Sequence, residues 1–392
     1  MTTADASEPR AQPVSPTIRE LAATLGVSHN TVARALRDDP EIALVTKNRI
    51  LKAAREAGYR ANPLVSALMH RVRRRGKPGA SGEVIGFLTS YTSEDQWRTH
   101  PSLSEHYRGA HARAEELGFR LQPFWLGTGG VDSARVGGVL RARGIRGVII
   151  GPVLAEYHPF RLDWDHLAVV AIGTGFRQVP VHRITHHQTT GMQTCYAHLR
   201  QFGYGRIGFV SHLSDDSRIN HLWRAGYLAA QQVHGGDRLE IFFTGSYEDP
   251  APVRSWLKRE KPDAVIGTWV HPLLQELQVR IPERLGFASL DIMTAQPGQL
   301  AGIWQDNERI GAVAMDLLAG QIYRNETSLP KIPTLTHMEG TWMDGPTVQR
   351  QAGKRSPLTK RLQESVSRKN GSRKRGAMSR SHRAQAAPRP AA

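Results

Sequence analysis

The chain has 392 residues, which is enough for two or three domains that each have a hydrophobic core. Its single cysteine, Cys195, cannot form an internal disulfide, and residues 1–16 lack the apolar core of a secretion signal, so we expect a reducing, cytoplasmic environment. No apolar run approaches the roughly 20 residues that a membrane-spanning helix needs, which excludes a membrane partner.

The net charge of +17 is concentrated at the two ends of the chain. Residues 1–80 carry 14 Lys and Arg against 7 Asp and Glu, and residues 350–392 carry 13 against one. The middle of the chain is therefore close to neutral. A basic head and a basic tail around a neutral body favour a phosphate-bearing partner, such as nucleic acid, at the ends.

Changes in composition divide the chain into five parts. We expect a disordered arm over residues 1–15, a helical headpiece over 16–60, a hinge and linker over 61–81, a two-lobed body over 82–348 and a basic, disordered tail over 349–392. The linker contains the charged, glycine-containing run RVRRRGKPGAS, and the tail has too few aliphatic residues to form a core.

The headpiece pattern predicts three short helices. Thr17 can cap a first helix that carries an apolar stripe over residues 18–25. Gly26 permits a tight turn, Ser28 can cap a second helix, and a third is predicted over residues 46–57 from a threonine cap. This is a helix-turn-helix arrangement, in which the second helix places its N-terminal side chains in the major groove of DNA.

Side chains of the second predicted helix suit base recognition. His29, Asn30 and Arg34 would project outward, and an arginine can bond guanine while an asparagine pairs with adenine, for about 1–3 kcal/mol of discrimination per bidentate contact. The other headpiece residues expected at the DNA are Thr17, Ser28, Thr31 and Asn48, the last three at phosphates. The alternative is a small three-helix cap with an ordinary polar surface.

The headpiece resembles that of the lactose-repressor (LacI) family over TIRELAATLGVSHNTVARAL and VTKNRILKAAREAGYRANPLVSALM. In that family the segment after a Tyr-x-x-Asn signature, here Tyr59 and Asn62, folds into a hinge helix when two copies meet in the minor groove. The resemblance implies that Asn62 caps the hinge, Ala67 faces the groove and Leu68 wedges between base steps. Pro63 departs from many relatives but suits the first position of a helix. A linker helix packed on the body is the alternative.

Between residues 83 and 347, strand-sized apolar runs alternate with amphipathic helical patterns. A helix, a Gly-aromatic cap and an apolar strand occur in this order twice, over residues 114–124 and 197–210, which predicts two doubly wound lobes with a ligand cleft between them. Strands are predicted over residues 84–90, 120–126, 147–153, 168–173, 206–211, 240–245, 264–269 and 285–290. Helices are predicted over residues 105–117, 190–202, 221–233 and 309–322.

The body resembles the periplasmic-binding-protein-like core of the LacI family, with the chain returning to the first lobe over residues 304–317. The predicted fold class is therefore an all-α helix-turn-helix headpiece plus an α/β two-lobed periplasmic-binding-protein-like body with parallel sheets. The phrase HLRQFGYGRIGFVS and the segment WQDNERIGAVAMDL carry this resemblance.

The resemblance also implies an effector that binds between the lobes. In this chain, however, other residues stand where relatives have the polar side chains that hold the effector. Trp223 stands where relatives have arginine, Trp269 where they often have Asn-Asp, and His187 where an Asp-Asn pair commonly opens the second lobe. Because Trp304 also falls beside the cleft, we predict an aromatic-lined pocket for a sugar or another metabolite, with Asp291 among few polar partners. Packed core tryptophans, or a filled pocket that needs no effector, are the alternatives.

Signals for catalysis are weak. His182, His186 and His187 have no cysteine or carboxylate at metal-ligand spacing, and the glycine runs GTGG and GTG lack the context of a nucleotide-binding loop. No GxSxG nucleophile elbow occurs. We predict no enzyme, no cofactor and no metal.

The sequence therefore predicts a bacterial, nucleoid-associated transcriptional regulator, most simply a repressor. It would act as a homodimer on a near-palindromic double-stranded DNA operator, with hinge folding controlled by a small-molecule effector. The alternatives are a nonspecific nucleic-acid binder driven by the basic tail and a solute-binding sensor that shares only the body.

Overall fold

The computed structural model describes residues 16–36, 41–57, 59, 82–153, 156–294, 296 and 298–351. The chain divides into two compact units: residues 1–81 with 319–326, and residues 82–318 with 327–392. The expected N-terminal arm, the hinge over residues 61–81 and the basic tail beyond residue 351 lie outside the described residues. Within them, no helix combines the length and the apolar character needed to cross a membrane.

The headpiece consists of helices α1 (Ile18–Leu25), α2 (His29–Ala35) and α3 (Leu44–Glu56). α1 has the boundaries that its apolar stripe predicts, and it ends at Gly26 in the left-handed conformation, with a φ of 64°. The buried core is formed by Leu21, Ala22, Val32, Ala35, Ile50 and Ala54. Each helix is too short to be stable alone, so this shared apolar cluster holds the three together.

The start of α3 differs from the sequence prediction. The N-cap is Ala43, which has no side-chain hydrogen bond, so the prediction of a threonine cap at residue 46 is wrong. The helix begins earlier, and it leaves Leu44 72% and Val45 82% exposed. A threonine at an expected start is a local signal only, and here it does not set the boundary of the helix.

The body contains twelve strands in the part of the chain that the structure describes. They are β1 (Val84–Thr89), β2 (Arg120–Trp125), β3 (Gly147–Ile150), β4 (Ala168–Ile172), β5 (His182–His186), β6 (Ile207–His212), β7 (Phe242–Thr244), β8 (Ala264–Gly267), β9 (Gly286–Ile292), β10 (Ala301–Trp304), β11 (Leu335–Met338) and β12 (Thr341–Met343). The helices between them are α4 (Gln96–Thr99), α5 (Pro101–Leu117), α6 (Ser133–Ala142), α7 (Gln188–Gln201), α8 (Leu213–Arg218), α9 (Leu222–His234), α10 (Ala251–Glu260), α11 (Val270–Glu276) and α12 (Asn307–Arg324).

The strands form two six-stranded sheets within the described residues, one for each predicted lobe. Their orders are β11-β5-β4-β3-β1-β2 and β12-β10-β9-β8-β6-β7. All neighbouring strands are parallel except β10 and β12, which pair antiparallel at one edge. The predicted two-lobed α/β architecture with mainly parallel sheets is therefore confirmed, with one antiparallel edge strand that alternation of elements did not predict.

Four strands were not predicted from the sequence: β5, β10, β11 and β12. β5 reads HRITH and β11 reads LTHM, so both lack a continuous apolar run, while β10 and β12 are only four and three residues long. Edge strands and short strands obtain much of their stability from backbone pairing with a neighbour, which local sequence does not report.

The last long helix, α12, carries the chain from the second sheet back to the first lobe, where it packs closely on α5. A Cβ atom added to Gly109 would lie 1.7 Å from the carbonyl oxygen of Glu308. A Cβ atom added to Gly311 would lie 2.0 Å from the carbonyl oxygen of His106. Two glycines, one on each helix, thus allow the helix backbones to touch.

We expect Gly311→Ala to destabilise the body by about 1–3 kcal/mol, because the new methyl group forces the two helices apart. Gly138→Ala is a matched control, since a Cβ at this position in α6 has nothing within 4 Å. The control should be neutral or stabilising by up to about 1 kcal/mol, as alanine is the better helix former. Urea unfolding of both variants measures the difference, and equal midpoints would contradict the close approach.

Candidate DNA-reading surface and ligand cavity

The N-terminal end of α2 presents polar side chains on the headpiece surface. His29 and Asn30 are exposed, whereas Arg34, one turn later, is half-buried and forms an ion pair with Glu41. The expected base-reading side chains therefore share one end of α2. In this structure Arg34 is paired with Glu41, so it would have to give up this ion pair in order to contact a base.

Ser28 fixes the start of α2. Its hydroxyl accepts a hydrogen bond from the backbone N–H of Thr31 at 3.0 Å, and the two side-chain oxygens lie 2.8 Å apart. Thr17 performs the same function for α1 in a capping box with Glu20, in which the two backbone–side-chain distances are 2.6 and 3.3 Å. Both caps orient the helices, and both lie at the surface where a phosphate could approach.

The remaining headpiece residues expected at DNA have different environments. Asn48 is exposed on α3. Tyr59 packs against the headpiece core, and its backbone N–H donates to the carbonyl oxygen of Ala54 at 2.9 Å. Asn62, Ala67 and Leu68, on which the hinge prediction depends, lie outside the described residues.

A cavity of about 590 Å³ lies between the two lobes of the body. Its walls come from the segments that follow the carboxyl ends of β1, β3, β4, β6 and β10, from the last residues of β5 and β9, and from α5, α8 and α12. Parallel sheets leave their ligand sites at this end of the strands, and the two lobes supply opposite walls.

The second lobe contributes an ion pair on α8. Arg218 Nη2 lies 3.2 Å from Asp215 Oδ1, and the other carboxylate oxygen of Asp215 accepts a hydrogen bond from the Tyr247 hydroxyl at 3.0 Å. Burial alone would lower the pKa of the Arg218 guanidinium, but Tyr91, Asp215 and Asp291 together raise it above its usual value. Arg218 is therefore a fixed cation in the cavity wall.

Contacts with the following segment and with α9 fix the position of α8, the helix that carries this pair. Asp216 is fully buried, pairs with Arg224 on α9, and accepts a hydrogen bond from His221 Nδ1 at 2.7 Å. His221 and the preceding Asn220 both have positive φ angles, of 61° and 60°. The buried carboxylate therefore holds a strained link between α8 and α9 that positions Arg218.

A second acidic group enters the cavity at the end of β9. The Nδ2 amide of Asn307 donates to Asp291 Oδ1 at 3.3 Å and to Glu105 Oε2 at 3.2 Å. Burial is the main cause that raises the pKa of Asp291 to about 7. The bond from Asn307 and the charge of Arg218 oppose this effect, and the charges of Glu105 and Asp215 add to it. Near neutral pH this carboxyl is therefore divided between its protonated and ionised forms.

Three histidines from the first lobe line the same cavity. Burial lowers the pKa of His106 to about 3 and that of His186 to about 4, and it also lowers the pKa of His100. At neutral pH these imidazoles are uncharged, so each offers one donor and one acceptor but no positive charge.

Several buried polar atoms of the cavity wall have no hydrogen-bond partner among the described residues. They are His106 Nδ1, both ring nitrogens of His186, Gln188 Oε1 and Trp223 Nε1, in side chains that are each less than a tenth exposed. Buried polar groups are nearly always satisfied in folded proteins, so these atoms point to water or a polar ligand as their partner.

The effector residues expected from the sequence are only partly brought together. Trp223 and Asp291 line the cavity, whereas Trp269, Trp304 and His187 are not among its described lining residues. The expected lining of three tryptophans is therefore not formed, and the described wall combines Trp223 and aliphatic side chains with polar and charged ones.

The other three residues lie nearby in different roles. Trp269 is 40% exposed, and its ring centroid lies 5.8 Å from that of His100, which does line the cavity. Trp304 ends β10 and is partly buried. His187 accepts a hydrogen bond from the backbone N–H of Thr190 at the start of α7, at 3.4 Å.

Sequence reasoning missed Arg218 and Asp215, the ion pair of the cavity wall. The segment LSDDSR reads as an ordinary polar loop, and its one signal is its place directly after a buried strand. It also missed His106, which lies on a helix that reads as amphipathic, has a buried side chain, and has its backbone carbonyl against Gly311 of α12.

Direct hydrogen bonds join the lobes on one side of the cavity. Arg177 in the first lobe donates to the carbonyl oxygen of Ser217 at 2.8 Å and to Asn220 Oδ1 at 3.1 Å. The Thr174 hydroxyl donates to the carbonyl oxygen of Arg218 at 3.3 Å. The side chains that hold the cavity closed thus contact the same α8–α9 segment that presents Arg218.

Two family profiles match the chain. The profile described as bacterial regulatory proteins, lacI family, matches residues 17–62, and the periplasmic binding protein-like domain matches residues 196–340. The HTH-type transcriptional regulator AglR of Rhizobium meliloti (strain 1021) is 49% identical over 45 residues, which are 12% of this chain. The matched segment spans only 13% of that relative's length.

Solved structures of the same fold cover most of the chain. The transcriptional regulator CelR in complex with cellobiose has a TM-score of 0.56 at 20% identity, over 85% of this chain and 99% of that one. The lac repressor dimer bound to operator and the anti-inducer ONPF has a TM-score of 0.52 at 18% identity, over 85% and 99%. CCPA from Weissella paramesenteroides with bound glucose has a TM-score of 0.54 at 17% identity, over 68% and 98%.

The profile match begins at the Thr17 cap and covers the headpiece, and the second profile falls within the two-lobed body. Fold, order of the units and headpiece sequence agree. Over residues 17–62 the chain is similar to bacterial regulatory proteins of the lacI family, and its body has the fold of a periplasmic binding protein-like domain.

Proposed function

We propose that the protein is a sequence-specific transcriptional repressor that binds a near-palindromic DNA operator as a homodimer in the bacterial cytoplasm, at the nucleoid. The observation that carries this proposal is the exposed N-terminal end of α2, where His29 and Asn30 stand free beside the capped turn. A helix end of this kind fits the major groove, and two copies related by dimer symmetry would read two half-sites.

Polar side chains of α2 would recognise the bases. Asn30 can donate to and accept from adenine, and Arg34 can bond guanine once it leaves Glu41. Thr17, Ser28, Thr31 and Asn48 would hold backbone phosphates and set the register of the headpiece. Tyr59 would act through packing, because it lies against the headpiece core.

The segment after Tyr59 would supply the hinge. By resemblance to the family, Asn62 starts a short helix, Ala67 faces the minor groove and Leu68 inserts between base steps. An apolar wedge of this kind costs unstacking energy and gains a bent duplex that contacts more protein surface. The basic residues on both sides of the hinge favour the same partner.

The cavity between the lobes would be the effector site. Its unpartnered buried polar atoms support a polar small molecule, and the cellobiose and glucose complexes of CelR and CCPA support a sugar-like one. Ligand binding would change how the lobes close, and the hydrogen bonds of Arg177 across the lobes are placed to respond to that change. Coupling to DNA would follow if closure alters whether two hinges can meet.

We expect Asn30→Ala to relax base preference at one position in each half-site by about 1–3 kcal/mol. Selection of bound duplexes from a random pool, repeated with the variant, measures the change. Lys52→Ala is the control, since Lys52 is exposed on α3 beside Glu56 and should leave the preferred sequence unchanged. An identical preferred sequence for Asn30→Ala and the native protein would contradict base reading by α2.

We expect Leu68→Ala to weaken binding to the selected operator by about tenfold or more, because the wedge between base steps is lost. Ser66→Ala, in the same segment but two residues away, should have little effect. Equilibrium binding to the selected duplex and to a random duplex separates the two variants. Operator affinity that is unchanged in Leu68→Ala would remove the hinge from the mechanism.

We expect Trp223→Phe to weaken effector binding by about two- to tenfold, because it removes an N–H that has no partner among the described residues. Trp304→Phe is the matched control outside the cavity. Both are titrated by tryptophan fluorescence with the tightest binder from a panel of mono- and disaccharides. Equal affinities would place the ligand away from the Trp223 indole.

A further inference from the structure

We propose that the effector is a small polyhydroxylated molecule that carries a protonated amine, and that Asp291 is the carboxylate that pairs with this amine. The inference deepens the proposed function, because it takes the cavity between the lobes as the effector site. It names the chemical class of the ligand: an amino sugar or a compound of similar size and polarity.

The first step concerns the only fixed cation of the cavity. Arg218 is the single Lys or Arg among the described lining residues, and its guanidinium lies 3.2 Å from Asp215. The charge of Arg218 is thus already balanced by a carboxylate. A phosphate or a carboxylate on the ligand would have to compete with Asp215 for this cation.

The second step concerns Asp291, which is close enough to Arg218 for each group to shift the pKa of the other but is not in direct contact with a cation. No ion pair of Asp291 is found in the described part of the chain, and its carboxylate is contacted by the neutral amide of Asn307 at 3.3 Å. Neighbouring Glu105, by contrast, lies 3.9 Å from Arg108 and accepts a hydrogen bond from the backbone N–H of Thr294 at 2.8 Å. Asp291 is therefore the carboxylate that a ligand cation can satisfy.

The balance of charge around the cavity points the same way. Besides Asp215 and Asp291, the wall includes Glu156, while the three lining histidines are neutral because burial lowers the pKa of each. Burial raises the pKa of Asp291 although Asn307 and Arg218 oppose it, and an ammonium within hydrogen-bond distance would lower this pKa again. The wall as a whole favours a cationic ligand over an anionic one.

An independent observation points to a ligand at this place and to its other groups. His106, Gln188 and Trp223 line the cavity, each is less than a tenth exposed, and their Nδ1, Oε1 and Nε1 atoms are buried without a partner among the described residues. Both donors and acceptors are present in this set, which suits hydroxyl groups, since a hydroxyl can serve as either. The cavity volume of about 590 Å³ is within the range of sites for small molecules of sugar size.

The proposal is tested on the full chain with matched pairs that differ by one group. The pairs are glucosamine with glucose, galactosamine with galactose, and mannosamine with mannose, each measured by calorimetric titration. N-acetylglucosamine, glucose 6-phosphate and glucuronic acid extend the series to an uncharged amide and to two anions. We expect at least one amino sugar to bind tenfold or more tightly than its neutral partner, and both anions to bind more weakly than glucose.

The Asp291→Asn variant tests whether Asp291 causes the preference for the amine. It keeps the shape of the side chain and removes the negative charge, so the ratio of the amine's affinity to that of its neutral partner should fall to about one. Asp165→Asn, an exposed carboxylate on the body surface, is the matched control and should keep the preference. Binding of the operator by both variants shows that they are folded.

Three results would overturn the proposal. They are no binding by any amino sugar, a neutral partner that binds as tightly as its amine in every pair, and an amine preference that survives in Asp291→Asn. The first two need no variant and therefore do not depend on how Asp291→Asn folds. None of them bears on operator selection by the headpiece, so failure of this inference and failure of the proposed function are distinguishable.

Discussion

Removal of water from the carboxyl ends of the two sheets controls the chemistry of the body. The same burial that lowers the pKa of His106 and His186 raises the pKa of Asp291, because in each case it disfavours the charged form. The Arg218–Asp215 pair escapes this effect, since its two charges stabilise each other. Among the described lining residues, the cavity thus combines one arginine paired with Asp215, neutral histidines, and the two further carboxylates Asp291 and Glu156.

The position of that cavity follows from topology and from one helix crossing. Each sheet ends its parallel strands on the side that faces the other lobe, and α12 then returns to the first lobe across α5. The crossing depends on Gly109 and Gly311, and it buries His106 and Asn307 at the cavity wall. A change in how the lobes close would therefore move cavity-wall residues of both lobes relative to each other.

Local interactions determine most helix boundaries of the headpiece, whereas pairing between residues far apart in the chain determines several strands of the body. In the headpiece, Thr17, Gly26 and Ser28 mark helix boundaries through contacts made within four residues, so these boundaries could be predicted in advance. Where no such local contact exists, as at Ala43, the predicted start of α3 was wrong. In the body, the continuous apolar strands were predicted, and the polar or short strands β5, β10, β11 and β12 were not.

The amino-acid sequence by itself determined the helix-turn-helix pattern, the two-lobed α/β fold and the family resemblance, because periodicity, caps and Gly-aromatic turns are properties of neighbouring residues. Only the tertiary structure decided which side chains share the cavity. It brought Trp223 and Asp291 to the wall, left Trp269 at 40% exposure outside the lining, and introduced Arg218 and His106. The physical reason is that a cavity wall combines residues far apart in the chain, and their burial depends on strand order and helix crossing rather than on local pattern.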